Sequence, residues 1–318
     1  MAGFGYWRAM IGCGGNGRSF DLTPAQGRRE RGLSIRARQI AIDDTIYYIV
    51  SSWCGGRTSS SPSESFLRPN TLKTKLRQGK TVVGSFLYIP SAKLAEIVGL
   101  CGFDFVVIDQ EHGPIDIESA EDMVRSCELS GTTPSVRVGK LDSHLILQAL
   151  DIGGMGVHIP SVNTAGQARE AVRLCKYAPL GHRGLAGVRA AEYGLRGSLS
   201  DYCRQANEET MVIIHIEEME AISNLDELLK VEGIDVYYLG PTDLSNSIGR
   251  PGSKDAELSQ IVDDAIQKIV QAGKVAGIIT NDPTAARRYI GMGVRYMATH
   301  AVGLMATASR DFLNPLKD

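Results

Sequence analysis

Eight short apolar runs alternate with longer amphipathic segments from about residue 71 to the end of the chain. Each run is five to eight residues long, and most are rich in the β-branched and aromatic side chains that favour strands. We therefore predict eight buried strands, over 82–89, 103–109, 134–138, 155–160, 211–217, 234–240, 274–280 and 294–300.

The segments around these strands have the apolar spacing of helices that pack one face on a core. Several begin after Ser, Thr or Asp, which cap helix N-termini, and end near glycine, which favours helix C-termini. The predicted helices cover 72–79, 91–100, 116–131, 164–178, 219–231, 255–273 and 282–293.

Strict alternation of helices with nearly continuous apolar strands indicates a parallel sheet covered by helices. Eight such repeats fit one (β/α)8 TIM barrel domain over residues 71–318. An open doubly wound sheet is the alternative. Its glycine fingerprint after the first strand is missing, because 84–91 holds one glycine.

Residues 1–70 differ in composition from the rest of the chain. Seven arginines lie between positions 8 and 38, and serine and glycine dominate 55–65. Such segments favour solvation, so we expect a disordered N-terminal extension. A mitochondrial transit segment is the alternative, since those are rich in Arg and Ser. The P-loop-like stretch 12–19 lacks a preceding buried strand, so we do not assign it to nucleotide binding.

Charge and cysteine content narrow the class of protein. The net charge of −2 gives no bias towards nucleic acid, and no apolar run is long enough to cross a membrane. The six cysteines are scattered without a C-x-x-C pair, which is typical of a reducing compartment. We therefore expect a cytoplasmic protein that acts on small molecules, without a nucleic-acid or membrane partner.

Ionisable side chains stand at or just after the ends of four predicted strands. In a (β/α)8 barrel these ends meet at one mouth, which carries the catalytic groups. Charged groups beside buried strands are costly unless they are paired or bind a ligand. The candidate site residues are Asp109, Glu111, His112, Arg137, Glu217 and Asp243.

Glu217 and Asp243 are the candidate metal ligands. Two carboxylates on neighbouring strands, without cysteine, suit a hard divalent cation such as Mg²⁺ or Mn²⁺ that keeps waters. The alternative is that Glu217 caps a helix beginning near Met219 and Asp243 caps a short turn.

His112 and Arg137 are the candidate acid–base and cationic groups. Histidine exchanges a proton near neutral pH, so we predict His112 as general base, with Asp109 orienting its ring. The planar guanidinium of Arg137 suits a substrate carboxylate. The alternatives are a structural histidine in a polar loop and an internal salt bridge from Arg137 to Glu111 or Glu217.

These residues lie in motifs that resemble the HpcH/HpaI aldolase family of metal-dependent pyruvate aldolases, which extends to fungal macrophomate synthase. The resemblance covers about residues 72–310, and several separated motifs agree with it in order and spacing. The motifs are 102–116 (GFDFVVIDQEHGPID), 136–138 (VRV), 149–172, 177–184 (YAPLGHRG) and 213–249.

The resemblance implies a barrel of the phosphoenolpyruvate/pyruvate-binding type that forms hexamers, as trimers of dimers with exchanged last helices. It implies a lyase that cleaves or forms 4-hydroxy-2-oxo acids through a pyruvate enolate, with an aldehyde as the second substrate. Glu217 and Asp243 would bind Mg²⁺ or Mn²⁺, with Co²⁺ as a further candidate, and the metal would chelate the 2-oxo acid. Backbone N–H groups near Thr242 and Asp243 would hold the substrate carboxylate.

The resemblance also implies roles for the other polar residues. Arg137 would stabilise the enolate oxygen, and His112, assisted by Asp109, would transfer protons, with Glu111 in the same network. The negative charge of an enolate must be stabilised by an electrophile. A metal ion and an arginine provide this stabilisation without a Schiff base. No lysine between 103 and 245 stands at a predicted strand end, which argues against a lysine-dependent aldolase.

Two alternative functions stay open from the sequence. An oxaloacetate decarboxylase or a macrophomate-synthase-like enzyme would form the same enolate but catalyse decarboxylation or carbon–carbon bond formation with another acceptor. A metabolite-binding barrel without activity is the non-enzyme alternative, although every proposed role is filled by a suitable residue.

One position departs from the family pattern, because His215 stands where glutamine is common, two residues before Glu217. Residues two apart on a strand share a face, so His215 points inward, where it either tunes the substrate keto group or fills a core position. His158 is a strand-end histidine that fits ordinary packing. Phe86 and Thr280 are weaker candidates for pocket walls.

Overall fold

The computed structural model describes residues 38–42, 45–49, 67–253 and 255–317. Its main unit is a closed barrel of eight parallel strands in chain order, which confirms the predicted (β/α)8 TIM barrel and its eight strands. The strands are β1 (Arg38–Ile42) and β2 (Thr45–Ile49) of a separate hairpin, and the barrel strands β3 (Val82–Leu87), β4 (Phe105–Asp109), β5 (Thr133–Arg137), β6 (Gly156–Ile159), β7 (Met211–Ile216), β8 (Val236–Leu239), β9 (Ala276–Ile279) and β10 (Tyr296–His300).

Helices follow the barrel strands, and none in the described part of the chain is long and apolar enough to cross a membrane. Two short 3₁₀ segments, Arg189–Gly194 and Asn314–Leu316, accompany them. The helices are α1 (Thr71–Arg77), α2 (Ala92–Leu100), α3 (Ile117–Ser130), α4 (Ser143–Asp151), α5 (Ala165–Cys175), α6 (Leu199–Glu209), α7 (Met219–Ser223), α8 (Leu225–Leu228), α9 (Pro241–Ser247), α10 (Ala256–Gln271), α11 (Pro283–Gly291) and α12 (Ala301–Leu313).

One detail of the helix prediction was wrong. The single helix predicted over 219–231 is divided into α7 and α8 at Asn224, whose φ and ψ of −94° and 6° depart from the helix. The Asn224 amide donates to the carbonyl of Asn163 at 2.9 Å, which holds this break in place. The stretch after β8 forms the helix α9, which begins at Pro241 because proline presets the first helical φ.

The predicted cap residues are confirmed at five helix starts. Each side-chain oxygen accepts a backbone N–H of the first turn, which satisfies a donor that the helix leaves unpaired. The caps are Ser91, Asp116, Thr164, Asp255 and Asp282.

Side chains of the barrel strands alternate between the interior and the layer beneath the helices. Aromatic and branched groups fill the interior, and Leu72 and Leu76 of α1 pack on the same cluster. At Gly84 an added Cβ would lie 2.3 Å from the ring of Phe105, so the strand pair leaves room only for glycine there. The interior strand residues are Val82, Phe86, Phe105, Val107, Met211, Ile213, Val236, Tyr238, Tyr296 and Ala298.

The N-terminal segment forms a unit of its own, Met1–Pro62, distinct from Ser63–Asp318. Within it β1 and β2 pair as an antiparallel hairpin. Most of the predicted disordered extension, 1–70, lies outside the described residues, so that prediction stands untested. Asn70 is fully buried, and its side chain caps α1 by accepting the Lys73 N–H at 3.0 Å.

Candidate active site

Strand register brings several of the predicted polar residues together near the barrel mouth. Asp109 of β4 pairs with Arg137 of β5, which pairs in turn with His158 of β6. On the next two strands His215 pairs with Tyr238. Because all of these side chains point inward near the C-terminal strand ends, they surround a common space.

Arg137 is held between two carboxylates. Its Nε and Nη2 donate to the two oxygens of fully buried Asp109 at 2.9 and 2.5 Å, and Nη1 lies 3.0 Å from Oε2 of Glu111. Burial disfavours the charge, but both carboxylates raise the pKa of Arg137 above its ordinary value. Its guanidinium carbon lies 5.1 Å from the ring centre of Phe86. The alternative salt bridge to Glu111 is therefore present, although Asp109 is the main partner.

His112 lies at the rim, with 58% of its side chain exposed and Nε2 3.9 Å from Oε2 of Glu111. Asp109 accepts the backbone N–H groups of Glu111 and His112 at 3.0 and 3.3 Å. The Asp109 oxygens are directed at Arg137 and at those N–H groups, and the orientation of the His112 ring by Asp109 stays a prediction. Burial raises the pKa of Glu111, against the opposing effect of Arg137.

The buried carboxylate of Glu217 is held at both oxygens. Oε1 accepts the Ser161 N–H at 2.8 Å, and Oε2 lies 3.2 Å from Nδ1 of His215. Burial disfavours the charge, but His215, the Ser161 N–H and Arg137 together lower the pKa of Glu217 to about 2. The N-cap of α7 is Glu218, so Glu217 is not the helix cap that the alternative supposed.

Asp243 lies in the first turn of α9 and shares a small space with Glu217. A Cβ added at Gly240 would stand 2.8 Å from Oε2 of Glu217 and 3.7 Å from Oδ2 of Asp243. The glycine thus keeps open the space that both carboxylates border. Although Asp243 is open to solvent on one side, partial burial and the charge of Glu217 raise its pKa.

This space fits a hard divalent cation. Glu217 and Asp243 repel each other, and a cation between them would relieve that repulsion. Carboxylate oxygens are the donors that Mg²⁺ and Mn²⁺ prefer. Among the described residues no group of three or more His, Cys, Asp or Glu side chains is arranged for a metal, so waters or substrate oxygens would complete the ligand shell.

A line of buried polar groups runs from Glu217 into the barrel. Nε2 of His215 lies 3.0 Å from Nδ1 of His158, whose Nε2 lies 2.8 Å from Oη of Tyr296. Burial, with added effects of His215 and Arg137, lowers the pKa of His158 well below its ordinary value. Both histidines are therefore hydrogen-bonded core groups, and His215 connects the core to the site.

A cavity of about 180 Å³ opens at the centre of the mouth. Tyr88, Tyr238 and His300 border it and were not predicted, although period-two alternation from Phe86 and Gly240 could have indicated the tyrosines. The hydroxyl of Tyr88 is hydrogen-bonded to Nδ1 of His300. The predicted residues on its wall are Phe86, His112, Arg137, His215, Glu217, Thr242 and Asp243.

A second cavity, of about 570 Å³, adjoins the first and shares Thr242, Ile279 and His300 with it. Thr280, which was a candidate wall residue, lines this second cavity instead. The site therefore extends sideways from the mouth towards α10 and α11.

The fold and the site define a (β/α)8 enzyme whose mouth sets two carboxylates and an arginine around a small cavity, an arrangement suited to stabilising an oxyanion. The chain belongs to the HpcH/HpaI aldolase/citrate lyase family, whose model matches residues 83–305. Curated relatives at 35% and 38% identity are aldolases, so this protein is a carbon–carbon lyase, and the non-enzyme alternative is not supported.

The chain is similar to a 2-keto-3-deoxy-L-rhamnonate aldolase of Salmonella gallinarum, with 35% identity over 246 residues, 77% of this chain and 92% of that protein. A hydroxypyruvate/pyruvate aldolase of Agrobacterium fabrum is 38% identical over 233 residues, 73% and 87% of the two chains. The crystal structure of a family member from Burkholderia cenocepacia matches with a TM-score of 0.74 and 31% identity, over 78% of this chain and all of that one.

The predicted relation to macrophomate synthase is found in the fold. That structure matches with a TM-score of 0.66 and covers 78% of this chain and 90% of its own. The sequences are 22% identical, so the likeness concerns the fold alone.

Proposed function

We propose that this protein is a divalent-metal-dependent aldolase that cleaves and forms 4-hydroxy-2-oxo acids through a pyruvate enolate. One observation carries the proposal: the carboxylates of Glu217 and Asp243 border the space left by Gly240, in the cavity that Arg137 also lines. A carboxylate pair that can hold a divalent cation, next to the fixed guanidinium of Arg137, provides the positive charge that a bound 2-oxo acid and its enolate require.

Glu217 and Asp243 would hold Mg²⁺ or Mn²⁺, with Co²⁺ as a further candidate. When bound, the cation supplies positive charge to the keto and carboxylate oxygens of the substrate. The low pKa of Glu217 keeps that ligand ionised throughout the neutral range. The first-turn N–H groups of α9, near Thr242 and Asp243, are free of helical partners and suit the substrate carboxylate.

Arg137 would stabilise the enolate oxygen. A guanidinium has five N–H donors. Asp109 and Glu111 engage one N–H on each of its three nitrogens, and Arg137 also lines the cavity. The paired carboxylates therefore fix the direction of the remaining donors without exhausting them, which is the preorganisation that oxyanion stabilisation needs.

His112 would move the proton. It lines the cavity from the exposed rim, where a substrate hydroxyl can reach its ring. In the cleavage direction His112 takes the proton of the 4-hydroxyl, the C3–C4 bond breaks and the aldehyde leaves. The enolate then takes a proton at C3 and becomes pyruvate, so that proton and charge balance. Asp109 contributes by fixing the His112 backbone and Arg137.

The second cavity suits the part of the substrate that leaves as aldehyde. Its wall carries hydroxyl and amide groups from Ser253, Ser259 and Asn281, and no Lys or Arg among its described residues. An uncharged, hydroxylated aldehyde therefore fits better than a phosphorylated one. The names of the relatives, which specify a deoxy sugar acid and hydroxypyruvate, agree with this class of substrate.

We propose that the protein is a hexamer, a trimer of dimers, located in the cytoplasm, with a mitochondrial location if residues 1–70 act as a transit segment. Support for assembly comes from α12, in which Ala301 is the one buried residue. A terminal helix with exposed Met305 and Phe312 needs an apolar partner.

The proposal is tested by pyruvate release from a panel of hydroxylated 4-hydroxy-2-oxo acids with Mn²⁺ or Mg²⁺. We expect turnover that EDTA abolishes and that fresh metal restores. Release that EDTA leaves unchanged, or none across the panel, would contradict the proposal. Release from oxaloacetate alone would favour the decarboxylase alternative.

Two variants separate metal binding by Glu217 from proton transfer by His112. Glu217→Ala should lose both Mn²⁺ binding, measured by calorimetry, and turnover. His112→Ala should keep Mn²⁺ binding and lose about 10²–10⁴ in kcat. His144→Ala, at an exposed histidine of α4, is the matched control and should keep both.

A further inference from the structure

Four buried side chains form a continuous hydrogen-bonded line from the barrel interior to Glu217. The line runs from Tyr296 of β10 through His158 of β6 and His215 of β7, with atom separations of 2.8, 3.0 and 3.2 Å. None of the four residues is more than 4% exposed. Each N–H or O–H must therefore find its acceptor within the line, because buried polar groups without partners are strongly disfavoured.

Tyr296 sets the direction in which hydrogen bonds are donated along the line. Its hydroxyl carries one hydrogen, and among the described residues His158 is its hydrogen-bond partner. The Ser135 hydroxyl also lies beside the Tyr296 oxygen and acts there as a donor, although the contact falls short of ordinary hydrogen-bond geometry. Tyr296 therefore donates to Nε2 of His158, and the ring hydrogen of a neutral His158 must be on Nδ1.

His215 is oriented in turn by His158. The Nδ1–H of His158 donates to Nε2 of His215, so that His215 carries its hydrogen on Nδ1. This hydrogen is directed at Oε2 of Glu217, while Oε1 takes the Ser161 N–H. Every donor in the line then faces the carboxylate, and Oε2, which takes one hydrogen bond, keeps a lone pair for the space at Gly240.

We propose that His158 and Tyr296 are positioning residues that lock His215 in the tautomer whose Nδ1–H holds Glu217 ready to bind the metal. The claim that Glu217 is held ready for a metal rests on the proposed function, whereas the claim about the tautomers of His158 and His215 does not. Without His158, His215 is free to carry its hydrogen on Nε2. The Nδ1 lone pair would then face Oε2, and two acceptors would oppose each other.

The tautomers are measured by long-range ¹H–¹⁵N correlation spectra of histidine-labelled, metal-free protein. We expect both His158 and His215 to carry hydrogen on Nδ1, the less common tautomer, with assignment from the spectra of His158→Phe and His215→Gln. A His158 ring with its hydrogen on Nε2 overturns the proposal. The tautomers are read in the wild-type protein, and the two variants serve only to assign its signals.

The coupling is measured by Mn²⁺ calorimetry on a double-mutant cycle. His158→Phe should weaken Mn²⁺ binding about tenfold, as expected for loss of an outer partner of a metal ligand. In a His215→Gln background the same change should weaken binding less than about twofold, because an amide carries its donor permanently. Equal losses in both backgrounds mean a merely structural role and overturn the proposal.

Tyr237→Phe is the matched control. Tyr237 is a buried tyrosine of β8 whose hydroxyl donates to the Leu228 carbonyl beneath the helices. Its loss should lower thermal stability and leave Mn²⁺ affinity unchanged. A wild-type protein that binds no Mn²⁺ would contradict the proposed function, while the tautomer spectra would still decide the direction of the line.

Discussion

Single residues in this site keep their charge through pairing. Arg137 and Asp109 are both buried, and each satisfies the other through two hydrogen bonds. Glu217 is buried as well, yet its donors lower its pKa to about 2. Removal of one member of such a pair leaves an uncompensated buried charge, which costs more than the pair contributes.

We expect Arg137→Met to lower the free energy of unfolding by about 3–5 kcal/mol, because Asp109 is left buried without its cation. Adding Asp109→Asn removes the stranded charge and should restore most of the stability, while aldol turnover stays lost. Urea unfolding and pyruvate release measure the two effects. A double variant that regains turnover would contradict the role of Arg137.

The stability of the fold should fall at acid pH because His158 resists protonation. Its folded-state pKa is lowered well below 6.5, so below about pH 6.5 the unfolded chain binds the proton and the folded one does not. The free energy of unfolding should then fall by about 1.4 kcal/mol per pH unit from this group. The groups that face His158 are His215, Tyr296, Tyr238 and Arg137.

Denaturant unfolding between pH 7.5 and 5 measures this slope. His158→Phe should be less stable at pH 7.5 and show a shallower dependence on pH. His144→Gln, which changes an exposed histidine, should keep the wild-type slope. A slope unchanged by His158→Phe would show that other groups cause the acid sensitivity.

At the scale of elements, strand register and one helix start build the site. The pairing of β4 with β5 sets Asp109 beside Arg137, and β8 passes directly into α9 through Gly240. Pro241 begins the helix at once, so Asp243 falls in its first turn. The turn between strand and helix therefore decides where the second carboxylate stands.

Gly240→Ala should weaken Mn²⁺ binding at least about tenfold, because the new Cβ would stand 2.8 Å from Oε2 of Glu217 and displace it. Calorimetry measures the change. Gly291→Ala in α11 is the matched control, since nothing lies within 4 Å of its added Cβ. The control should keep affinity, and equal affinity in both variants would show that the space at Gly240 is not the metal site.

At the scale of the whole molecule, the barrel is closed but its last helix is not covered. Ala301 is the one buried residue of α12, while Met305 and Phe312 are 55% and 72% exposed. Exposed apolar side chains on one terminal helix favour association with another copy. This agrees with the proposed hexamer, in which last helices are exchanged.

Phe312→Glu combined with Met305→Glu should shift the protein to a smaller assembly, because charges at these positions disfavour burial. Light scattering after size-exclusion chromatography measures the mass. Leu129→Glu changes a side chain that is 80% exposed on α3 and serves as the control. A wild-type monomer, or a variant of unchanged mass, would contradict the proposed assembly.

Local sequence patterns were enough to predict the barrel and most of the polar residues at its mouth. Each strand shows its apolar run within a few residues, and each cap is one side chain acting on the next turn, so both can be read locally. The strand-end rule then grouped Asp109, Arg137 and Glu217 without any contact being known. The division of α7 from α8 escaped prediction because it depends on Asn163, which is distant in sequence.

The sequence by itself determined the fold and the candidate site residues Glu217, Asp243 and Arg137, since periodicity and residue type are properties of short segments. Only the tertiary structure decided the partners: Asp109 with Arg137, His158 with His215 and Tyr296, and Tyr88 with His300. These pairs join residues 28 to 212 positions apart. They depend on strand register and on closure of the barrel, which no local pattern encodes.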